Sequence, residues 1–173
     1  MFRKFVVWGA ASFLTLPAFA EAPDLKTPAP VIYLADNLDE ADKLGWCIDT
    51  QGRGFGENLH AHSCKPQGGD VQFSFDEETS QIRSVAFDDK CMELIAPGDP
   101  KIAFGLRDCI GNSTQQQFEF DRSNGHISPI GQSGSCVGVG GTSRRAGPFL
   151  SRDLLLMSCA TAAPELIGWN EKR

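Results

Sequence analysis

His60, His62 and Cys64 alternate within ENLHAHSC (57–64), and each of these side chains can ligate a metal. At i, i+2 and i+4 they would share one face of a β-strand. The alternative is an ordinary strand that ends in a disulfide. If Cys64 is oxidised its sulfur is no thiolate ligand, and two histidines without a third ligand are a weak basis for a metal site. No metal and no cofactor are then expected. His60 and His62 become either surface residues without a role or polar contacts to a ligand.

Catalytic signatures are also missing. The sequence holds no G-x-S-x-G and no H-E-x-x-H, and disulfide formation would leave no cysteine nucleophile. Abundant Asp and Glu do not by themselves make a glycosidase pair, which needs a defined separation. The chain is therefore expected not to be an enzyme.

The elements that must carry these residues follow from the six cysteines, at 47, 64, 91, 109, 136 and 159. The first of each couple recurs after 44 and then 45 residues, and the gaps within couples are 17, 18 and 23. Such a period marks an internal repeat. Each unit opens on an apolar stretch around its first cysteine (WCID, KCMEL, SCVGV). It passes a Gly-rich turn to the second (NLHAHSC, FGLRDC, LLLMSC), then a polar loop and an aromatic stretch (VQFSF, QQFEF, IGW). Ile82 and Ile127 each lie nine residues before the next unit's first cysteine. The segments are short, alternating or β-branched, and bounded by turn residues, so the fold class is all-β with pseudo-threefold repeats. Phe73, Phe75, Phe118, Phe120 and Trp169 occupy corresponding places and read as core aromatics. The repeat implies pairing within units, Cys47–Cys64, Cys91–Cys109 and Cys136–Cys159; pairing between units is the alternative.

Residues 1–20 read as a cleaved signal peptide: basic Arg3 and Lys4, an apolar run too short to span a bilayer, and AFA at the cleavage site. Its loss moves the formal charge from −6 to −8, since it removes two cations and no anions. A secreted or periplasmic location follows, and an even cysteine set suits it. An acidic domain disfavours nucleic acid and anionic membrane surfaces as partners, and no later segment is apolar enough for membrane insertion. Residues 21–30 read as an exposed Pro-rich leader, and 31–173 as the folded domain. VIYL (31–34) is a strand candidate, DNLDEADK (36–43) a short helix or acidic loop, and GTSRRAGPF (141–149) an inserted loop with Arg144 and Arg145 exposed.

The triplicated C-x-D motif or its relics (CID, CME, CVG), the second cysteine, and a Q-x-W-like element (VQF, QQF, IGW) resemble a degenerate ricin-B-type β-trefoil lectin over residues 45 to 170. The resemblance implies a β-trefoil with an internal disulfide in each repeat, and carbohydrate binding in shallow pockets. There an acid after the first cysteine accepts sugar hydroxyls, an aromatic before the second stacks on the ring, and an amide near Q-x-W adds polar contacts. Carried over, the first unit offers Asp49 as the acid, His62 at the stacking place, His60 beside it, and Asp70 or Gln72 near the amide position. The second offers Glu93, Arg107 and Gln116, with an ion pair between Glu93 and Arg107 as the plainer reading. The third has Gly138 and Met157 and is expected not to bind sugar this way. Asp49 has a competing reading as a turn residue in IDTQGRG. Glycans are the expected partners. The competing reading is a protein-docking or targeting subunit of a secreted toxin or enzyme complex.

Overall fold

A computed structural model describes residues 21–173; the signal-peptide expectation for residues 1–20 lies outside the described residues. The first unit comprises β1 (Val31–Leu34), β2 (Trp46–Thr50), β3 (Leu59–Ser63) and β4 (Phe73–Asp76). The second comprises β5 (Gln81–Ser84), β6 (Lys90–Leu94), β7 (Phe104–Asp108) and β8 (Phe118–Asp121). The third runs through β9 (His126–Pro129) and β10 (Ser135–Val139), then an added pair, β11 (Arg144–Ala146) and β12 (Phe149–Arg152), before β13 (Leu154–Ser158) and β14 (Trp169–Lys172). This is the β-trefoil plan implied by the sequence resemblance, with one hairpin inserted.

Two sets of antiparallel pairs repeat around the pseudo-threefold axis. The outer strands join as β14–β1, β4–β5 and β8–β9, and the hairpins are β2–β3, β6–β7 and β10–β13. Register is the same in each hairpin: Cys47 faces His62, Cys91 faces Arg107 and Cys136 faces Met157. A further equivalence fixes how each hairpin starts. Gly45, Asp89 and Gly134 stand two residues before the first cysteines, with φ of 80°, 53° and 77°. Each carbonyl accepts the N–H of its unit's second cysteine, at 3.0, 2.8 and 2.9 Å. The left-handed turn suits glycine, and Asp is among the few side chains that tolerate it. It brings the cysteine backbones together, and all three bridges form within units with Cα separations of 5.0, 5.0 and 5.2 Å.

The core lies between the pairs. Ile32, Ile82 and Ile127 from β1, β5 and β9 are fully buried with Phe73, Phe118 and Trp169. Phe75 and Phe120 face Ile82 and Ile127 across their pairs, but the third equivalent, facing Ile32, is Glu171. The Glu171 carboxylate accepts the Phe75 N–H at 3.0 Å and meets Arg122 at 3.0 Å, while the Arg122 guanidinium lies 4.5 Å from the Phe120 ring centre. Burial opposes its ionisation, but Phe75, Arg173 and Arg122 together hold its pKa below the ordinary value.

Two expectations at the edges change, and a third, left open between helix and loop, is decided. Residues 21–30 are largely exposed but not free: Thr27 is fully buried, its hydroxyl donates to the Lys65 carbonyl, and its own carbonyl accepts from Lys172. The carbonyls of Pro28 and Ala29 accept from the Gln72 amide, so the segment is tied along the first repeat. Residues 36–43 take the loop alternative rather than the helix, because Leu38, Asp39 and Lys43 have positive φ, while Asn37 binds Glu40 and Gly45 through its side chain. The 141–149 insertion is not merely a loop but the β11–β12 hairpin, turned at Gly147-Pro148.

Replacing Cys136 and Cys159 together by serine should remove about 2–5 kcal/mol of stability, the usual cost in small secreted domains. Urea unfolding of the two proteins measures it, and an unchanged midpoint would contradict a bridge that holds the third hairpin.

Candidate functional site

Alternation along the first hairpin creates the site. Trp46, Ile48, Leu59 and Ala61 point to the core and are buried there. Cys47, Asp49, His60 and His62 therefore share the opposite face, with Asp49 directly across from His60. That face is covered. Asp49 is 1% exposed, His60 8% and His62 5%, so neither histidine is a surface residue. Asp49 lies within β2 rather than in the turn that follows, and its Oδ1 accepts the Thr50 N–H at 2.8 Å.

The cover is Lys65, one residue past Cys64. Its Nζ sits 2.8 Å from Asp49 Oδ2 and 2.6 Å from Asp70 Oδ1. The contact with Asp49 is close, but its angles are not those of a hydrogen bond, and Oδ2 has no hydrogen-bond partner. His60 Nε2 and His62 Nδ1 lie 3.8 and 3.7 Å from the same oxygen. His62 Nδ1 is also 3.0 Å from the Ser63 carbonyl, which requires a proton on Nδ1 and leaves Nε2 of the neutral ring as an acceptor.

Electrostatics follow from this crowding. Burial works against an ionised Asp49, but His60 and Lys65 outweigh it and hold its pKa below the ordinary aspartate value. Burial likewise opposes a charged Lys65, and Asp49 with Asp70 more than compensates, raising its pKa. His62 goes the other way: burial lowers its pKa, and the Ser63 carbonyl and Asp49 only partly offset this.

The third repeat completes the site. Strand β12 pairs with β3, placing Ser151 opposite His62 and Arg152 opposite Ala61. Arg152 anchors the insertion: it binds Glu40 at 2.8 Å, donates to the Gly140 carbonyl, and lies 4.6 Å from the Trp46 ring centre. The hairpin turn then overhangs the first repeat, with Phe149 edge-on to His62 at 5.6 Å between ring centres. A cavity of about 390 Å³ remains. Arg53, His60, His62 and Lys65 form one wall, and the 147–149 turn forms the other.

The family profile described as "Ricin-type beta-trefoil lectin domain" matches residues 37–165. The chain belongs to this family. Domains of this lectin family are generally non-catalytic carbohydrate-binding modules. No curated protein matches the chain in sequence. Among solved structures, the lectin domain is similar to the agglutinin from Abrus precatorius, at 14% identity and a TM-score of 0.54, covering 84% of this chain and 47% of that one. It is also similar to GalNAc-T7, crystallised with UDP, GalNAc and Mn2+, at 18% identity and a TM-score of 0.53, covering 79% of this chain and 21% of that one. The chain thus spans under half the length of either, and at these identities the likeness concerns the fold.

The lectin positions fare differently in the three repeats. The first brings Asp49, His60, His62 and Asp70 into one cluster. Gln72 is outside it, since its carbonyl oxygen accepts from Gly69 N–H and its amide braces residues 28 and 29. In the second, Glu93 accepts from the Gln116 amide at 2.8 Å, and the fully buried Gln116 also binds Asp108, Ile110 and Gln81. Gln116 is a strut between strands. Arg107 forms no pair with Glu93; it donates to the Glu57 carbonyl and lies 3.7 Å from the Glu57 carboxylate, because β7 adjoins the first repeat's 57–58 segment. In the third, a side chain at Gly138 would meet Met157 Sδ at 2.6 Å and Ile167 Cγ2 at 2.8 Å, so no acid fits. The closest group of ligating atoms among the described residues, His126 with Cys136 and Cys159, is a histidine beside a closed disulfide.

Neither Lys65 nor Phe149 stands out in the sequence as a site residue. A carboxylate as buried as Asp49 demands a cation, and Lys65 was the adjacent one. For Phe149 there was no local signal, because its place depends on long-range strand pairing.

The lowered His62 pKa sets a sign for stability. The folded protein accepts that proton later than the unfolded chain, so stability should fall as pH drops below about 6.5, the ordinary histidine value. Asp49 adds a further loss only below its ordinary range, as its carboxylate is protonated. Urea midpoints from pH 8 to 5 should fall in the native protein and flatten in His62→Phe; equal slopes would contradict a buried neutral His62.

Proposed function

We propose that the chain is an exported, non-catalytic carbohydrate-binding module with one glycan pocket, in the first repeat. The observation that carries this reading is the cavity bounded by His60, His62 and Lys65 above an ionised Asp49, with an aromatic face supplied by Phe149. A sugar needs fixed donors and acceptors and one flat apolar surface, and this cavity offers all three. Binding through the other repeats is disfavoured, because Glu93 is engaged by Gln116 and the Gly138 site is filled. Export is supported by the sequence pattern of residues 1–20 and by three disulfides, which persist in oxidising compartments. On this reading residues 1–20 are removed and the remainder folds as one domain.

A glycan array probed with the native protein, Asp49→Asn and Phe149→Ala tests the site. Binding should appear with the native protein and be lost in both variants while circular dichroism is unchanged. No glycan signal, or one indifferent to both substitutions, would contradict it.

One observation favours a second reading, docking onto a secreted toxin or enzyme. Where the third repeat would hold sugar, β13 instead presents Leu155, Leu156 and Met157 to a cleft of about 430 Å³ facing the 97–100 loop. Co-purification with exported proteins supports docking if Met157→Asp abolishes it; a strictly monomeric, partner-free protein counts against it.

A further inference from the structure

The first-repeat pocket has an uneven charge. Its charged wall residues are Arg53 and Lys65, both cationic, with His60 and His62 between them. No carboxylate lines it. Asp49 and Asp70, the acids that could accept hydroxyls, lie behind Lys65 and are bound to it. A neutral hexose entering here would therefore find the acidic acceptors already engaged.

The wall nevertheless has unused hydrogen-bonding capacity. A lysine ammonium has three donors; one is given to Asp70, and Asp49 is met as an ion pair at 2.8 Å without hydrogen-bond angles, so donor capacity remains. Arg53 is exposed and forms no ion pair with any carboxylate among the described residues. His62, with its proton on Nδ1, presents Nε2 as an acceptor. Across the cavity, Phe149 adds an apolar ring.

We propose that this pocket takes a carboxylate-bearing sugar in preference to a neutral one. The sugar carboxylate pairs with Arg53, whose planar fork suits it, and with a free donor of Lys65. A ring hydroxyl donates to His62 Nε2, and the apolar face of the sugar lies against Phe149. The formal charge of the whole chain, −6, opposes anions at long range. That field is screened beyond about 8 Å at physiological salt, so the two local cations decide selectivity. The inference rests on the first-repeat glycan reading and specifies its ligand class.

The test compares glycans ending in glucuronic acid or N-acetylneuraminic acid with counterparts ending in glucose or galactose. Native protein, Arg53→Gln and Asp49→Asn are each measured at low and high salt. The acidic glycans should bind more tightly, weaken with salt, and lose roughly tenfold or more in Arg53→Gln, the worth of one charge-assisted hydrogen bond. Arg53 is exposed and unpaired, so this variant should fold normally. Equal or better binding of neutral glycans, or acidic binding indifferent to Arg53→Gln, would overturn the acidic preference. If that binding still required Asp49, the glycan site itself would stand. Binding of neither class would overturn both.

Discussion

The first repeat is organised by one ammonium between two carboxylates. Burying Asp49 alone would be costly, and an unpaired carboxylate in that position would take up a proton instead. Lys65 prevents this by approaching Asp49 and Asp70 together, tying the β2–β3 hairpin to the loop before β4. The same contact decides what the pocket shows to solvent. The acid is retained and ionised, but its free oxygen faces a cation rather than the cavity. A lectin-type acid thus becomes part of the floor, and the surface above it turns cationic.

Around that floor the three repeats share a skeleton and differ in what fills it. Left-handed residues at 45, 89 and 134 start each hairpin identically, and a sulfur bridge closes each one. On this common frame the acid position carries Asp49, Glu93 or Gly138. The first is held by lysine, the second by a buried glutamine, and the third is replaced by packing of Met157 and Ile167. The added hairpin breaks the symmetry further by pairing with β3 of the first repeat. Material inserted in one unit thereby builds the pocket of another.

The skeleton was legible in the sequence because it rests on covalent pairs and on a period, both visible in one dimension. The strands beside each cysteine, the bridges and VIYL as β1 followed from these. Other features depended on partners far away in the chain. Residues 21–30 have a linker's composition, yet their carbonyls find donors on Gln72 and Lys172. The 36–43 segment has a helix former's charge pattern, but three positive-φ residues turn it into a loop. Arg107 looked like a partner for Glu93 and reaches Glu57 instead, since the neighbouring repeat comes closer. At the candidate site, Asp49, His60 and His62 could be read from their register with the cysteines. Lys65 and Phe149 could not, one because its role follows from burial and the other because strand pairing across repeats delivers it.

Lys65 keeps a buried Asp49 ionised. Carboxyl carbon NMR of Asp49 through an acid titration tests it most directly, in the native protein and in Lys65→Met. The native carboxylate should titrate below the ordinary aspartate range and move upward when Lys65 is replaced. A native Asp49 that titrates at or above that range, or one unmoved by the substitution, would contradict it.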